Sequence, residues 1–188
     1  DALAEATKGQ ALASTSTAVA FGKSLLASGS ALPRGGRAFI SVRDEDKSAA
    51  CFVARRLRNL GFEIVATRGT AGAIRKARVP VEIINKVLEG PPHVVDALSE
   101  QRIQLVINTT QGTQAVRDSY AIRRNALLSD VPYFTTMPAA LAAVDALEAL
   151  SLLGAAPPLV KSLQEWHAIS KAGAEAATIT LPPSTGER

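Results

Sequence analysis

Four short segments combine glycine, hydroxyl side chains and lysine, and each one follows a run of apolar residues. They are Ser41–Lys47, Thr67–Thr70, Asn85–His93 and Asn108–Gly112. Backbone N–H groups at a helix start bind anions, and the helix dipole favours negative charge there. Glycine lets the backbone approach a ligand closely, threonine adds hydroxyl donors and lysine adds positive charge. Each turn alone fits ordinary helix capping, but the four together predict a phosphorylated small molecule as the ligand.

The segments around these turns have the pattern of alternating strands and helices. Apolar runs predict five strands at Arg37–Val42, Phe62–Ala66, Val81–Ile84, Gln104–Asn108 and Pro132–Thr135. Apolar spacings of three and four predict helices over about 44–59, 71–77, 93–100, 114–128, 139–153 and 163–171. This alternation predicts an α/β fold, namely a doubly wound, five-stranded, mostly parallel sheet with helices on both faces. Ligands of such sheets lie beyond the carboxyl ends of the strands, so the four turns are expected to meet at one edge.

Composition and charge restrict the class of protein. The 188 residues, 47% of them hydrophobic, are enough for one domain with a real core. The single cysteine, Cys51, excludes an intramolecular disulfide and indicates a reducing compartment. No window resembles a signal peptide or a membrane span. The net charge of +4 is too small to indicate a nucleic-acid-binding protein.

The positive charge is concentrated in the middle of the chain. Residues 37–124 hold 15 basic and 9 acidic side chains, a net charge of +6 that favours an anionic ligand. Six of the basic side chains are interpreted as solvated helix faces: Arg55, Arg56, Arg58, Arg75, Lys76 and Arg78.

Other residues that could carry chemistry have simpler interpretations. Cys51 is predicted to be a packed thiol, and His93 a residue at a helix start rather than a general acid. Neither His93 nor His167 has metal-ligand spacing around it, and Trp166, within the last predicted helix, is expected to pack that helix against the domain. For Asp118, contact with a ribose or base and simple exposure to solvent remain equal alternatives.

A family resemblance is carried by motifs that occur in order along most of the chain. They are Ala38-Phe-Ile-Ser-Val-Arg-Asp-Glu-Asp-Lys47, Ala66-Thr-Arg-Gly-Thr-Ala71, Asn85-Lys-Val-Leu-Glu-Gly-Pro-Pro-His93, Ile107-Asn-Thr-Thr-Gln-Gly112, Asp118-Ser-Tyr-Ala-Ile-Arg-Arg124 and Tyr133-Phe-Thr-Thr136. Together they resemble the methylglyoxal-synthase-like domain at the carboxyl end of the carbamoyl-phosphate synthase large chain. The resemblance covers about residues 19–171 and implies the same α/β fold.

The resemblance implies roles for individual residues in binding a nucleotide effector. The effector phosphate would be bound by Lys47, Thr67, Gly69, Thr70 and Lys86. The base and ribose would contact Ser41, Val94, Asn108, Thr109, Thr110, Asp118, Ala121 and Ile122. An ornithine-like effector would contact Tyr133 and Thr135. No catalytic or metal-binding residue is implied.

The resemblance also implies a regulatory function. In the family this domain is similar to a sensor that binds UMP as inhibitor and IMP as activator, and in some members ornithine. It controls carbamoyl phosphate synthesis for the pyrimidine and arginine pathways in the cytoplasm. The ATP-dependent ligase activity, with ATP, Mg and K, would belong to synthetase domains outside this sequence, and this domain alone is expected to be non-catalytic and free of cofactors. The implied partners are those upstream ATP-grasp domains and a glutaminase subunit. The resemblance implies no binding to nucleic acid or to a membrane, and it leaves self-association open.

Two related activities are distinguished by their motifs. A stand-alone methylglyoxal-synthase-like lyase acting on dihydroxyacetone phosphate is the alternative function, but that enzyme uses an aspartate in a Gly-Gly-Asp segment. Here Gly90–Asp96 lacks this segment, and Asp96 lies in a predicted helix. The inosinate cyclohydrolase domain has a similar first strand and Thr-x-Gly-Thr turn. It is distinguished from this chain because it lacks the Asn85-Lys86 and Asn108-Thr-Thr110 patterns.

Domain limits follow from these observations. Residues 1–36 are predicted to be the junction from an upstream synthetase domain, because the chain starts at Asp1 and residues 1–18 match the family poorly. Residues 37–174 are the regulatory domain, and residues 175–188 a flexible tail.

Overall fold

Five parallel strands form one sheet in the order β3-β2-β1-β4-β5. The strands are β1 (Gly36–Ser41), β2 (Phe62–Ala66), β3 (Glu82–Ile83), β4 (Leu105–Asn108) and β5 (Tyr133–Phe134). The helices are α1 (17–27), α2 (Lys47–Asn59), α3 (Arg68–Lys76), α4 (Val94–Ser99), α5 (Thr113–Leu128) and α6 (Met137–Leu152). The computed structural model describes residues 17–109, 113–152, 164–165 and 167–168, without the side chains of Leu88 and of 113–118.

Alternation along the central strands divides the core into two layers. On β1, Ala38 and Ile40 face one layer, whereas Phe39 faces the other. The first layer also contains the buried faces of α2, α3 and α6, and the second those of α4 and α5. Such nearly continuous apolar strands are typical of a parallel sheet that is covered on both sides. The predicted α/β class, with five strands and helices on both faces, is confirmed, and every strand pair is parallel.

Most predicted elements form, with shifted ends. Helix α2 begins at Lys47 after a 3-10 turn over Asp44–Asp46 and ends before Gly61, whose φ of 89° suits glycine after a helix. Helix α3 begins at Arg68, three residues earlier than predicted, because the Gly-Thr turn forms its first turn.

The outer strands are shorter than the sequence predicts. Strand β3 includes only Glu82–Ile83, since it is an exposed edge strand that begins shortly after Pro80. Strand β5 at the other edge includes only Tyr133–Phe134. Of the helix predicted over 163–171, residues 164–165 and 167–168 are helical, and the rest, including Trp166, lie outside the described residues. No helix in the described part of the chain is long and apolar enough to cross a membrane.

Helix α1 packs on the first layer, although residues 1–36 were predicted to be a junction. Phe21 and Leu25 contact the buried cluster, and Ala18 is itself buried. Gly22 fits closely against α6, because a Cβ there would lie 3.0 Å from Leu150 Cδ1. The chain divides into two units, Asp1–Pro158 and Leu159–Arg188. The domain limits stay predictions, but α1 shares the core of the sheet.

The contact of α1 with the core can be tested by substitution. We expect Phe21→Ala to lower the free energy of unfolding by about 2 kcal/mol, because the side chain is half-buried against apolar residues. Ala20→Ser, exposed on the same helix, is the control and should change it by less than about 0.5 kcal/mol. Denaturant unfolding measures both. An unchanged stability of Phe21→Ala would show α1 to be an independent junction.

Candidate functional site

The candidate site lies where β1 and β4 pair at their carboxyl ends. Ser41 is in register with Asn108, and the backbone N–H of Thr109 donates to the Ser41 carbonyl at 3.1 Å. Strands β2 and β3 lie on one side of this pair and β5 on the other, so the order of the strands reverses there. In open α/β sheets, this reversal opens a crevice between the connecting segments.

Four hydroxyl residues lie together at these strand ends, and we name Ser41, Thr67, Thr70 and Thr109 the threonine cluster; Thr109 is joined to it through its backbone bond to Ser41. The Ser41 and Thr67 hydroxyls are 3.1 Å apart, and Thr67 and Thr70 are 3.5 Å apart. The three threonines are buried, Thr70 with only 2% of its surface exposed. The structure therefore brings together four of the residues predicted to bind the effector.

The threonine cluster also holds the segment that follows β1. The Thr70 hydroxyl accepts the Val42 N–H at 3.1 Å, and the Thr109 hydroxyl accepts the Arg43 N–H at 3.2 Å. Buried N–H groups need such partners, since leaving one unpaired costs about 1–3 kcal/mol. In this structure these hydroxyls support the backbone, and their predicted contact with a ligand stays a prediction.

The first turn of α3 provides backbone donors for an anion. Thr67 precedes the helix in extended conformation and makes no side-chain capping bond. The first helical bond runs from the Ala71 N–H to the Thr67 carbonyl, so the N–H groups of Arg68, Gly69 and Thr70 have no partner among the described residues. Three donors at the positive end of a helix dipole favour an anionic ligand.

Lys47 lies over this turn. A Cβ on Gly69 would be 3.8 Å from the Lys47 Nζ, so the ammonium group approaches the helix start where glycine leaves space. Lys47 also forms a 2.6 Å ion pair with Asp44, and this hydrogen bond lowers the pKa of Asp44. The Asp44 side chain is 91% exposed, which makes the pair weak in water and open to replacement by another anion.

A second carboxylate stabilises the segment between β1 and α2. Burial acts to raise the pKa of Asp46, but hydrogen bonds from Thr109 and Arg43 outweigh it and hold the pKa below its ordinary value. The Arg43 Nε donates to Asp46 at 2.8 Å. Asp46 thus ties Arg43 to the start of α2. The sequence analysis did not single out this residue.

Beyond the threonine cluster, Asn108 belongs to a second polar group. Its Nδ2 donates to the Ser119 Oγ at 3.0 Å and to the Tyr133 Oη at 3.2 Å, and these two hydroxyls are 3.1 Å apart. We name Asn108, Ser119 and Tyr133 the amide triangle. Ser119 was not predicted as a site residue. Its signal in the sequence is a serine on the stripe of α5 that also buries Ile122 and Ala126.

Several predicted site residues lie apart from these groups. Lys86 is exposed after β3 and forms no hydrogen bond or ion pair with the threonine cluster among the described residues, and Thr135 is exposed after β5. Val94 is fully buried in the second core layer and Ile122 is nearly so, whereas Ala121 is half-buried. The assignment of these residues to a ligand stays a prediction. Thr110 and the side chain of Asp118 lie outside what the structure describes.

The remaining chemical candidates have structural partners. The His93 Nδ1 accepts a hydrogen bond from the Asp96 backbone N–H, and the Asp96 carboxylate accepts one from the His93 backbone N–H. These bonds confirm that His93 is the capping residue at the start of α4. Cys51 packs partly buried against the first core layer, and burial raises the pKa of its thiol. Among the described residues, no group of three or more His, Cys, Asp or Glu could hold a metal ion.

The backbone support provided by Thr70 gives a testable result. We expect Thr70→Val to lower the free energy of unfolding by about 1–3 kcal/mol, because the Val42 N–H loses its acceptor in a buried place. Thr70→Ser keeps the hydroxyl and should lose less. Amide hydrogen exchange of Val42 should become faster only in the valine variant. Equal exchange in both variants would contradict the supporting role.

Comparison with known proteins agrees with this geometry. Residues 49–135 match the family model described as MGS-like domain. The chain is 46% identical over 155 residues to the carbamoyl phosphate synthase large chain of Myxococcus xanthus, covering 82% of this chain and 14% of that one. It is 48% identical over 153 residues to the same protein of Pseudomonas syringae, covering 81% and 14%.

A third relative indicates which part of the large chain is matched. It is the carbamoyl phosphate synthase large chain, C-terminal section, of Methanopyrus kandleri, 50% identical over 130 residues, which cover 69% of this chain and 24% of that one. The chain thus spans about 14% of the full-length relatives described above. The parallel sheet, the family model and the homologous large chains together show that this chain belongs to the MGS-like domain family.

Proposed function

We propose that this domain binds a nucleoside monophosphate and acts as the regulatory part of a longer carbamoyl phosphate synthase large chain. The names and the greater length of the homologues support the placement of this domain in a large chain. The geometry of the site supports the choice of a phosphorylated ligand. In this proposal, other domains of that protein carry the ligase activity, with its ATP, Mg and K. A glutaminase subunit is the partner of the full protein, which works in the cytoplasm in pyrimidine and arginine synthesis.

The observation that carries the proposal is the approach of Lys47 to the first turn of α3. The N–H groups of Arg68, Gly69 and Thr70, which have no partner in the part of the chain that the structure describes, and the ammonium group of Lys47 converge at Gly69. A phosphate offers several acceptor oxygens and a charge that both the helix dipole and lysine favour. We assign the phosphate of the effector to this place.

The spacing of the strands favours a ligand larger than a three-carbon phosphate. Strand β1 separates β2, which leads into α3, from β4, which ends at Asn108. Two strand spacings amount to about 10 Å. A ligand whose phosphate lies at Gly69 has to span this distance to reach Asn108, and a nucleoside attached to the phosphate is long enough to do so.

The site supports the alternative function, a lyase acting on dihydroxyacetone phosphate, less well than it supports nucleotide binding. An aldehyde-forming elimination from dihydroxyacetone phosphate needs a general base close to the bound substrate. The carboxylate of Asp96, the aspartate of the Gly90–Asp96 segment, accepts the His93 N–H at 2.9 Å at the start of α4. That contact gives Asp96 a capping role, and the nucleotide proposal uses no base.

Regulation requires that the effector binds two states of the large chain with different affinity, typically by about 1–3 kcal/mol. The phosphate would compete with Asp44 for Lys47 and tighten the segment after β1, which the threonine cluster holds. The amide triangle links Asn108 to Tyr133 on β5, so occupancy of the site would also reach residues 125–136, which include the end of α5 and β5 and in this proposal face the neighbouring domain. We propose inhibition by UMP, activation by IMP and an ornithine-like effector near Tyr133 and Thr135.

Calorimetry of this chain with UMP, IMP and dihydroxyacetone phosphate tests the proposal. We expect saturable binding of the two nucleotides and an affinity lower by about tenfold or more in Lys47→Ala, because a charged hydrogen bond is lost. Arg55→Ala is the matched control and should bind as the unchanged chain does, since Arg55 is an exposed cation that donates to the Ala77 carbonyl.

Two outcomes would contradict the proposal. The first is a folded chain that binds neither nucleotide up to millimolar concentration. The second is release of methylglyoxal from dihydroxyacetone phosphate, which would establish the lyase function instead.

A further inference from the structure

The amide triangle is a buried polar group that the binding of phosphate does not use. Asn108 ends β4, Ser119 lies on α5 and Tyr133 lies on β5, so three elements each contribute one side chain. Asn108 is 4% exposed and Ser119 is 3% exposed. Buried side chains of this kind keep their hydrogen bonds, because an unpaired one is costly. Their mutual contacts therefore determine how each group is oriented.

The three distances fix the orientation of the Asn108 amide. If its oxygen faced the two hydroxyls, both would donate to it, and neither would have a proton for their mutual contact at 3.1 Å. With the nitrogen facing them, the amide group can donate to Ser119 and to Tyr133, and one hydroxyl still donates to the other. The amide oxygen then lies on the opposite side and can only accept.

The partners of Asn108 are themselves held in place. The Arg123 guanidinium lies over the Tyr133 ring, 5.6 Å from its centre. Ser119 and Arg123 are four residues apart on α5, so both lie on the helix face that meets β5. Ser119 contacts both Asn108 and Tyr133 from a buried position on α5.

We propose that Ser119 is a positioning residue that presents Asn108 to the ligand as a hydrogen-bond acceptor. Resting on the proposed function, this assigns to the site a preference for nucleotides with a hydroxyl or N–H donor at the β4 end. A ligand group that is itself only an acceptor would be rejected there. Ser119 acts through Asn108 and needs no contact with the ligand.

A measurement without ligand tests the positioning directly. In the unchanged chain, the Asn108 side-chain amide protons should exchange slowly with water, because the amide group is hydrogen-bonded and buried. We expect Ser119→Ala and Tyr133→Phe each to speed this exchange by about fivefold or more, as one acceptor is lost. Ser119→Thr keeps a hydroxyl and should retain slow exchange. Ser151→Ala, a helical serine that donates to the Glu148 carbonyl, is the control and should change nothing.

The consequence for specificity is measured with UMP and its 2′-deoxy, 3′-deoxy and N3-methyl analogues, each of which lacks one donor. In the unchanged chain, at least one analogue should bind about fivefold more weakly than UMP. In Ser119→Ala that ratio should fall towards one, while binding of inorganic phosphate, which contacts only the α3 turn, stays the same. A general loss of folding would instead weaken all four nucleotides and phosphate together.

The outcomes separate this proposal from the function on which it rests. If UMP binds but Ser119→Ala discriminates among the analogues as the unchanged chain does, the positioning role is overturned and the nucleotide function stands. Unchanged amide exchange in Ser119→Ala also overturns the positioning role. If the chain binds neither UMP nor phosphate, the proposed function fails, and the amide exchange still decides whether Ser119 orients Asn108.

Discussion

The pairing of β1 with β4 is the constraint on which the rest of the structure depends. It places Ser41 beside Asn108 and joins the half of the sheet that leads into α3 to the half that ends at Tyr133. Because both faces of these strands are buried, a shift of register by one residue would turn apolar side chains to the wrong layer. The two polar groups of the site are therefore placed by the packing of the core.

The residues at this edge serve the fold and the ligand together. Thr70 and Thr109 complete the hydrogen bonding of the segment after β1. Asp46 adds a carboxyl group whose pKa lies below its ordinary value. The backbone N–H groups of the α3 turn, in contrast, have no described protein partner. The buried hydroxyls thus hold the segment after β1 in place, whereas the start of α3 and Lys47 attract an anion.

Much of this arrangement was predictable because its signals are local. The apolar runs predict the central strands, and the alternation of elements predicts the parallel sheet. The turn Thr67–Thr70 indicates an anion site, although the start of α3 at Arg68 was missed because glycine and threonine resemble a loop. The predicted length of the edge strand β3 was too great, since its apolar residues suggest more strand pairing than a strand at the edge of a sheet can form.

What the sequence could not provide are the contacts between distant residues. Ser119 looks like one more polar position on α5, and only the approach of β4 and β5 shows that it contacts Asn108 and Tyr133. Asp46 resembles its neighbours Asp44 and Glu45 in the sequence, yet in the structure hydrogen bonding with Thr109 and Arg43 outweighs its burial and lowers its pKa. Likewise, a helix from 17 to 27 that shares the core does not follow from a composition of alanine, serine and leucine.

The most direct test of the account is a crystal structure of this chain with bound UMP. The account predicts the phosphate within hydrogen-bonding distance of the backbone nitrogens of Gly69 and Thr70 and of the Lys47 Nζ, with the nucleoside extending towards Asn108. A phosphate bound instead on the exposed basic surface of Arg75 and Arg78, with the first turn of α3 unoccupied, would contradict it.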